Sequence, residues 1–136
     1  KKKKKDFQKL LKTGASMSRA KTQFIEGYDG TKLALRSYQA HSFCQAVLVL
    51  TAATSVIFDP LADQISRMFP IIVKIVEVRG HGESSGKRGY SATKTCLWKD
   101  IKTFLHHFRF NHPELPIFLG FIFFSFLNIY LFLINL

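Results

Sequence analysis

The chain has 136 residues, a length that allows one small domain. Its formal net charge is +11, yet no side chain after Glu114 is charged, so the two ends differ strongly in character. The two cysteines and five histidines have no spacing typical of a zinc site, and no cofactor motif is present. We therefore expect no metal and no cofactor.

Residues 1–21 form a basic segment that opens with five lysines. This composition is typical of a disordered, solvated tail, with a short helix at 6–12 as its only predicted element. A basic tail also suits anionic lipid or nucleic acid. Phe7 is its only aromatic residue, so base stacking has little support and we expect no specific nucleic-acid partner. No apolar stretch follows the lysines, so no secretory signal is predicted, and the expected location is membrane-associated or cytoplasmic.

The next part of the chain predicts a hairpin, a buried strand and a helix. Asp29 and Gly30 are a turn signal between two strands, the second with Leu33, Leu35 and Ser37 on one face. The short apolar run 46–50 is typical of a strand buried on both faces. Asp59 and Pro60 then predict an N-cap and first helical turn, with an apolar face formed by Leu61, Ile65 and Met68.

The pattern of strand and helix then repeats. A β-branched run at 71–78 predicts a second buried strand, and apolar residues at helical spacing follow it, namely Leu97, Ile101, Phe104, Leu105 and Phe108. The complete prediction places strands at 22–26, 31–38, 46–51, 71–78 and 117–120, and helices at 60–68 and 94–110. Such alternation predicts an α/β fold with a parallel sheet. Cys44 and Cys96 are expected to be buried free thiols.

Residues 117–136 contain no charge and no proline, and as a helix they would span roughly 30 Å. We therefore expect an apolar, candidate transmembrane helix, with Phe118, Phe121, Phe124 and Leu131 on it and largely exposed. The residues of this segment and the opening lysines are also those encoded by codons rich in A and T, as in translated non-coding DNA.

A glycine-rich loop after the second buried strand is the most specific motif. Its characteristic residues are Arg79, Gly80, His81, Gly82, Ser84 and Gly86, and Glu77 precedes them. The glycine spacing does not fit a dinucleotide-binding motif. The loop resembles the one after the fourth strand in serine α/β-hydrolases of the monoacylglycerol lipase and serine aminopeptidase type. Segments 29–38 and 112–120 resemble the same family, so the resemblance covers roughly 24–120 and the partial domain is placed at 22–120.

The resemblance implies an incomplete α/β-hydrolase-like sheet and an acylglycerol or other acyl-ester substrate. It also locates departures from the family pattern. After Gly120 the family has Gly-x-Ser-x-Gly, whereas Ile122 stands here at the serine position and Phe124 at the last glycine. Ser125 lacks flanking glycines, and no Asp, Glu or His follows Glu114 to act as acid or base. We therefore expect no catalytic residue.

The remaining candidate for catalytic chemistry is a backbone donor. In the family the residue after a His-Gly pair supplies an oxyanion N–H, and here that residue is Ala53, preceded by Ala52 instead of glycine. His81 is expected to fix the loop, and His106, His107 and His112 to lie on the exposed side or at the end of the helix. Two interpretations follow: a truncated or mispredicted, inactive member of the lipid-ester hydrolases, or a membrane-anchored non-catalytic protein with a hydrolase-derived cytoplasmic part.

Overall fold

The computed structural model describes residues 20–53, 58–89, 93–123 and 128–134, with side chains described as far as residue 121. It contains six strands, β1 (Gln23–Glu26), β2 (Lys32–Tyr38), β3 (Ala46–Ala52), β4 (Ile71–Glu77), β5 (Ile117–Phe123) and β6 (Asn128–Ile134), and two helices, α1 (Asp59–Met68) and α2 (Lys94–Asn111). The predicted helix at 6–12 and the basic tail up to residue 19 lie outside the described residues.

The strands form one mixed sheet in the order β1-β2-β4-β3-β5-β6. β3 is parallel to both β4 and β5, with Leu48 opposite Val73 on one side and Phe118 on the other. β1 and β2 form an antiparallel hairpin that joins β4 through β2, and its turn contains Gly30 at φ +81°. The predicted turn and the predicted parallel pairing of 46–51 with 71–78 are both confirmed.

The two helices cover opposite faces of the sheet. On the α2 face the core contains Val47 and Val49 with Phe104 and Phe108. On the other face Leu50 and Ile75 pack with Ala62 of α1. Because both faces are covered, β2 is buried on both sides, and its burial does not follow the single-faced alternation predicted for Leu33, Leu35 and Ser37.

The predicted apolar face of α1 is wrong in part. Leu61 and Met68 are 42% and 62% exposed, whereas Ala62 and Ser66 face the sheet and are buried. The predicted N-cap role of Asp59 is also wrong, since Phe58 precedes the helix and no side chain caps it. The Asp59 carboxylate instead accepts hydrogen bonds from Arg36 and Tyr38 on β2. These bonds hold α1 with its small residues toward the sheet, where two layers approach closely.

Helix α2 follows the prediction. Thr93 caps it by accepting a hydrogen bond from the Cys96 backbone N–H at 3.2 Å. The predicted apolar residues face the sheet, with Ile101, Phe104, Leu105 and Phe108 buried and Leu97 partly buried. The histidines lie where expected, His106 and His107 exposed and His112 directly after the last turn. Cys44 is a buried free thiol as predicted, whereas Cys96 is free but only half-buried.

The apolar C-terminal helix predicted at 117–136 is wrong. The segment forms β5 and β6, an antiparallel pair in which Gly120 lies opposite Leu131. Ile117 and Leu119 are buried beside β3, and Phe118 and Phe121 are half-buried on β5 instead of exposed on a helix. Phe124 lies outside the described residues. No helix within the described ranges has the length and apolar character that a membrane crossing requires.

Candidate functional site

The carboxyl ends of the three parallel strands share one edge of the sheet, where sites of α/β folds usually form. Ala53 follows β3 at this edge, the glycine loop that begins at Val78 follows β4, and β5 ends there at Phe123. Thr51 lies opposite Phe121 on β5 and opposite Val76 on β4, so the three strand ends are level. Ala53 and the glycine loop, both singled out from the sequence, are therefore brought to one edge.

The side chain of Glu77, the last residue of β4, binds the backbone of the glycine loop. Its side chain is 1% exposed, and Oε2 accepts a hydrogen bond from the Glu83 backbone N–H at 2.6 Å. Gly82 lies directly over this carboxylate, so a Cβ at Gly82 would come within 2.2 Å of Glu77 Oε2. Gly82 also has φ +53°, which a side chain disfavours. The family position occupied by Glu77 is therefore structural in this chain.

Ser84 ties the loop to the neighbouring hairpin. It is fully buried, donates from Oγ to the Glu77 backbone oxygen at 2.7 Å, and accepts from the Ala34 N–H at 2.8 Å. Gly80 donates to the Ser85 oxygen at 2.9 Å, and Gly86 packs so tightly that its Cβ would lie 2.9 Å from Gly80 N. These contacts make the loop a fixed rim of the sheet edge.

Arg79 connects the loop to two other elements. Its guanidinium donates two hydrogen bonds to Asp100 on α2, both at 2.7 Å, and two to Asp29 in the β1–β2 turn, at 3.0 and 3.1 Å. It also lies 4.9 Å from the centroid of the Tyr28 ring. The hydrogen bonds that Arg79 donates to Asp100 and Asp29 raise the pKa of Arg79, and those to Asp29 lower the pKa of that carboxyl. The loop, the hairpin turn and α2 are thereby joined at one cation.

Arg36 plays the corresponding role on the other face. Its side chain is 2% exposed, and it binds Asp59 at the start of α1 at 2.5 Å and Glu83 in the glycine loop at 2.8 Å. Tyr38 shares Asp59, and burial followed by that hydrogen bond raises the pKa of its phenol. Arg36 thus links the start of α1 to the glycine loop.

The remaining predicted residues contribute no reactive group in the described structure. His81 is half-exposed, and its Nδ1 lies 3.0 Å from the Arg79 backbone oxygen, a contact that fixes the loop. Gly120 lies within β5, which continues as a strand through Ile122 where a strand-to-helix turn would carry a nucleophile. Ser125 lies outside the described residues, and in the described ranges no group of His, Cys, Asp and Glu could hold a metal ion.

Sequence reasoning missed the two arginine networks. Arg36, Asp59, Asp29 and Asp100 bind partners 21 to 50 residues away in the chain, and no local pattern reports such pairs. One signal was available, because an arginine within the predicted strand 31–38 has to find carboxylates if that strand is covered on both faces.

The comparisons with known proteins agree with this architecture. An α/β serine hydrolase homologue from Coxiella burnetii superposes with a TM-score of 0.63 at 14% identity, over 79% of this chain and 54% of that one. A monoglyceride lipase from Saccharomyces cerevisiae gives 0.63 at 17%, over 76% and 36%. An α/β serine hydrolase without a lid from Xanthomonas campestris gives 0.59 at 14%, over 78% and 51%. The chain thus spans about half or less of the length of these proteins.

A search of curated protein sequences finds no match. The family model described as serine aminopeptidase, S33, matches residues 35–120, which is more than half of the chain. This range contains β3, β4, both helices and the glycine loop, and parts of β2 and β5. The chain therefore belongs to the serine aminopeptidase family of α/β-hydrolases.

Proposed function

We propose that the chain derives from hydrolases of acyl esters, with lipid esters such as monoacylglycerols as the substrate class, and that the 136 residues do not themselves hydrolyse esters. The observation that carries the second part is the course of β5. At the nucleophile position the backbone remains in a strand, with Ile122 opposite Ile129 of β6. An acyl-transfer serine needs a sharp turn that lifts its hydroxyl above the sheet edge.

The chemistry of the residues supports the same conclusion. An isoleucine side chain has no nucleophilic atom, and the family order places the acid and the histidine after the nucleophile. No Asp, Glu or His follows Glu114 in this sequence. His106 and His107 lie on the exposed side of α2, before the nucleophile position, so they do not replace the missing base.

The glycine loop and the end of β3 are the parts of a hydrolase site that this chain retains. The glycine loop is fixed by Glu77, Arg36 and Arg79, and Ala53 offers a backbone N–H at the end of β3. An oxyanion donor alone contributes little, since loss of a catalytic triad lowers turnover by about a million-fold. The proposed role of residues 20–123 is therefore that of a hydrolase scaffold.

Esterase assays and covalent labelling test the proposal. The purified chain is incubated with a short-chain aryl ester, with a monoacylglycerol and with a fluorophosphonate probe, beside a catalytically competent serine esterase. We expect no turnover above the heat-treated sample and no labelled serine. An Ile122→Ser variant should also stay inactive, because it adds a hydroxyl without the turn or the base.

Labelling of any serine in the native chain, confirmed by peptide mapping, would overturn the proposal. The nucleotide sequence across codons 118–136 provides a second test. A Gly-x-Ser-x-Gly sequence in another reading frame would assign ester hydrolysis to a longer product and the scaffold role to this chain. Its absence from all frames would contradict the idea of a shifted frame.

A further inference from the structure

We propose that a cavity between β1 and α2 binds a small amphipathic monocarboxylate, with the Lys74 ammonium group as its anchor. The cavity has a volume of about 580 Å³ and is lined by Lys74 and by apolar residues that include Ile25, Leu35 and Phe108. This volume lies within the range of about 300–1,000 Å³ found for small-molecule sites. Such sites combine apolar walls with a few placed polar groups, as here.

Lys74 is the unusual residue of β4. It follows the fully buried Val73 and precedes the fully buried Ile75, and its own side chain lies on the α2 face. Its Nζ donates to Ser37 Oγ at 2.9 Å and lies 5.2 Å from the centroid of the Phe108 ring. Burial lowers the pKa of this lysine.

No carboxylate of the described residues forms an ion pair with Lys74. An ammonium group has three N–H donors, and the Ser37 hydroxyl takes one of them. A half-buried cation without an opposite charge is costly, and a ligand carboxylate within hydrogen-bond distance would remove that cost. The charge of Lys74 therefore selects an anionic group.

The walls select the rest of the ligand. Ile25 and Leu35 pack in the same core as Phe108, and with its ring they provide an apolar wall for the body of the ligand. His107 and Asn111 form a polar edge, with Nε2 and Nδ2 3.2 Å apart. Lys74 is the one lysine or arginine among the described residues that line the cavity, so a single ammonium group faces the ligand and a monocarboxylate matches it better than a dicarboxylate.

This cavity is separate from the sheet edge described above. Helix α2 starts near that edge, after the glycine loop, and runs away from it, so His107, Phe108 and Asn111 lie toward the opposite end. The inference is therefore independent of the proposed loss of ester hydrolysis, and either one stands if the other fails.

Titration of the isotope-labelled 136-residue chain with 3-phenylpropanoate tests the inference, with 3-phenylpropanamide as the neutral control. We expect saturable backbone shifts in β1 and in the last two turns of α2, and an affinity for the amide at least about tenfold weaker. Lys74→Met should weaken acid binding by at least about tenfold. Lys102→Met removes the same charge from an exposed position on α2 outside the lining, and should leave binding unchanged.

A measurement on the unmodified chain decides the case even if Lys74→Met does not fold. The pKa of Lys74, followed through its Cε resonance, should rise when 3-phenylpropanoate is bound, because a nearby carboxylate favours the charged ammonium. Equal affinity for acid and amide, an unchanged Lys74 pKa, or equal weakening by Lys74→Met and Lys102→Met would each overturn the inference. The last result would mean a general attraction of the basic chain for anions.

Discussion

Arg79 and Asp100 form a two-pronged ion pair in which guanidinium Nε and one terminal nitrogen each donate to a different carboxylate oxygen, both at 2.7 Å. Asp100 is nearly buried, with 4% of its side chain exposed, so water screens the attraction between the two charges only weakly. It attaches the glycine loop to the helix that carries most of the core on that face. The geometry depends on the planar fork of arginine.

Arg79→Lys should therefore destabilise the fold although it preserves charge. An ammonium group cannot reproduce the paired bonds to Asp100 and still reach Asp29, so we expect a loss of about 1.5–3 kcal/mol in the free energy of unfolding. Urea unfolding measures it. Arg67→Lys is the control, since Arg67 binds Asp63 while 62% exposed and should change stability by less than about 0.5 kcal/mol. Equal effects of the two substitutions would contradict a special role for Arg79.

Because of the Asp29 carboxylate, the free energy of unfolding should depend on pH. Hydrogen bonds from Arg79, then from Thr31, hold the pKa of Asp29 below its ordinary value of about 3.9. A depressed folded-state pKa contributes stability above the unfolded-state pKa and loses it as pH falls through the folded-state value. The stability gap between the native chain and Asp29→Asn should thus be constant above about pH 5 and narrow below about pH 4. A gap that stays constant to pH 2 would refute the ion pair.

Gly82→Ala should be much more damaging than Gly30→Ala. Both glycines have positive φ, +53° and +81°, so both substitutions incur backbone strain of about 1–2 kcal/mol. Only at Gly82 would the new Cβ also meet the buried Glu77 carboxylate, whereas nothing lies within 4 Å at Gly30. We expect Gly82→Ala to lower the free energy of unfolding by about 3 kcal/mol or more, measured by urea unfolding. Similar losses at both positions would show that Glu77 can move aside.

Substitutions of Arg36 and of Glu83 should differ sharply in their effect on stability, although the two side chains form an ion pair. Arg36→Met removes the buried partner of Asp59 and should cost about 3–5 kcal/mol. Glu83 is 49% exposed, so Glu83→Gln should cost no more than about 1 kcal/mol. Thermal unfolding of the two variants provides the comparison. A mild effect of Arg36→Met would mean that α1 is held by packing alone.

Hydrogen exchange distinguishes the β5–β6 pair from a helix. β5 lies between β3 and β6, and residues 117–121 have partner strands on both sides, so their amides should exchange slowly. In Asn128–Ile134, alternate amides face β5 and the others face away from it, so protection should alternate along β6. Continuous protection from 117 to 134 without alternation would instead support the helix expected from composition.

The sequence predicted the central sheet well because each strand there carries its own signal. The runs 46–51 and 71–78 are mainly apolar on both faces and flanked by helical patterns, which leaves few possible arrangements of the sheet. The prediction for the C-terminal segment was wrong because that segment carries no such signal of its own. An apolar run whose hydrophobicity repeats neither every 2.0 nor every 3.6 residues is equally compatible with a transmembrane helix, a buried helix or two strands. Only the pairing of β5 with β3 decides in favour of strands.

The features of the candidate site that depend on local backbone conformation could be predicted from the sequence. Those that depend on contacts between residues far apart in the chain could not. The glycines of the loop indicated positive φ, which four of them adopt. The roles of Glu77, Arg36 and Arg79 depend on elements brought together by the fold, and a family motif alone does not report what each side chain contacts. The expected roles of Ala53 as donor and of Ser125 as a non-nucleophile stay predictions.

β2 and β3 are consecutive in the chain, yet β4 lies between them in the sheet. The partner of β2 is β4, which follows β3 and α1 in the chain, so β2 has no strand to pair with outside its own hairpin until β4 has formed. The β1–β2 hairpin can assemble early by itself, because its strands are close in sequence, but its docking must be a late event in folding. We therefore expect the ion pairs of Arg36 and Arg79 with residues in other elements to form after the transition state for sheet assembly. Substitutions that break them should accelerate unfolding and leave the folding rate nearly unchanged.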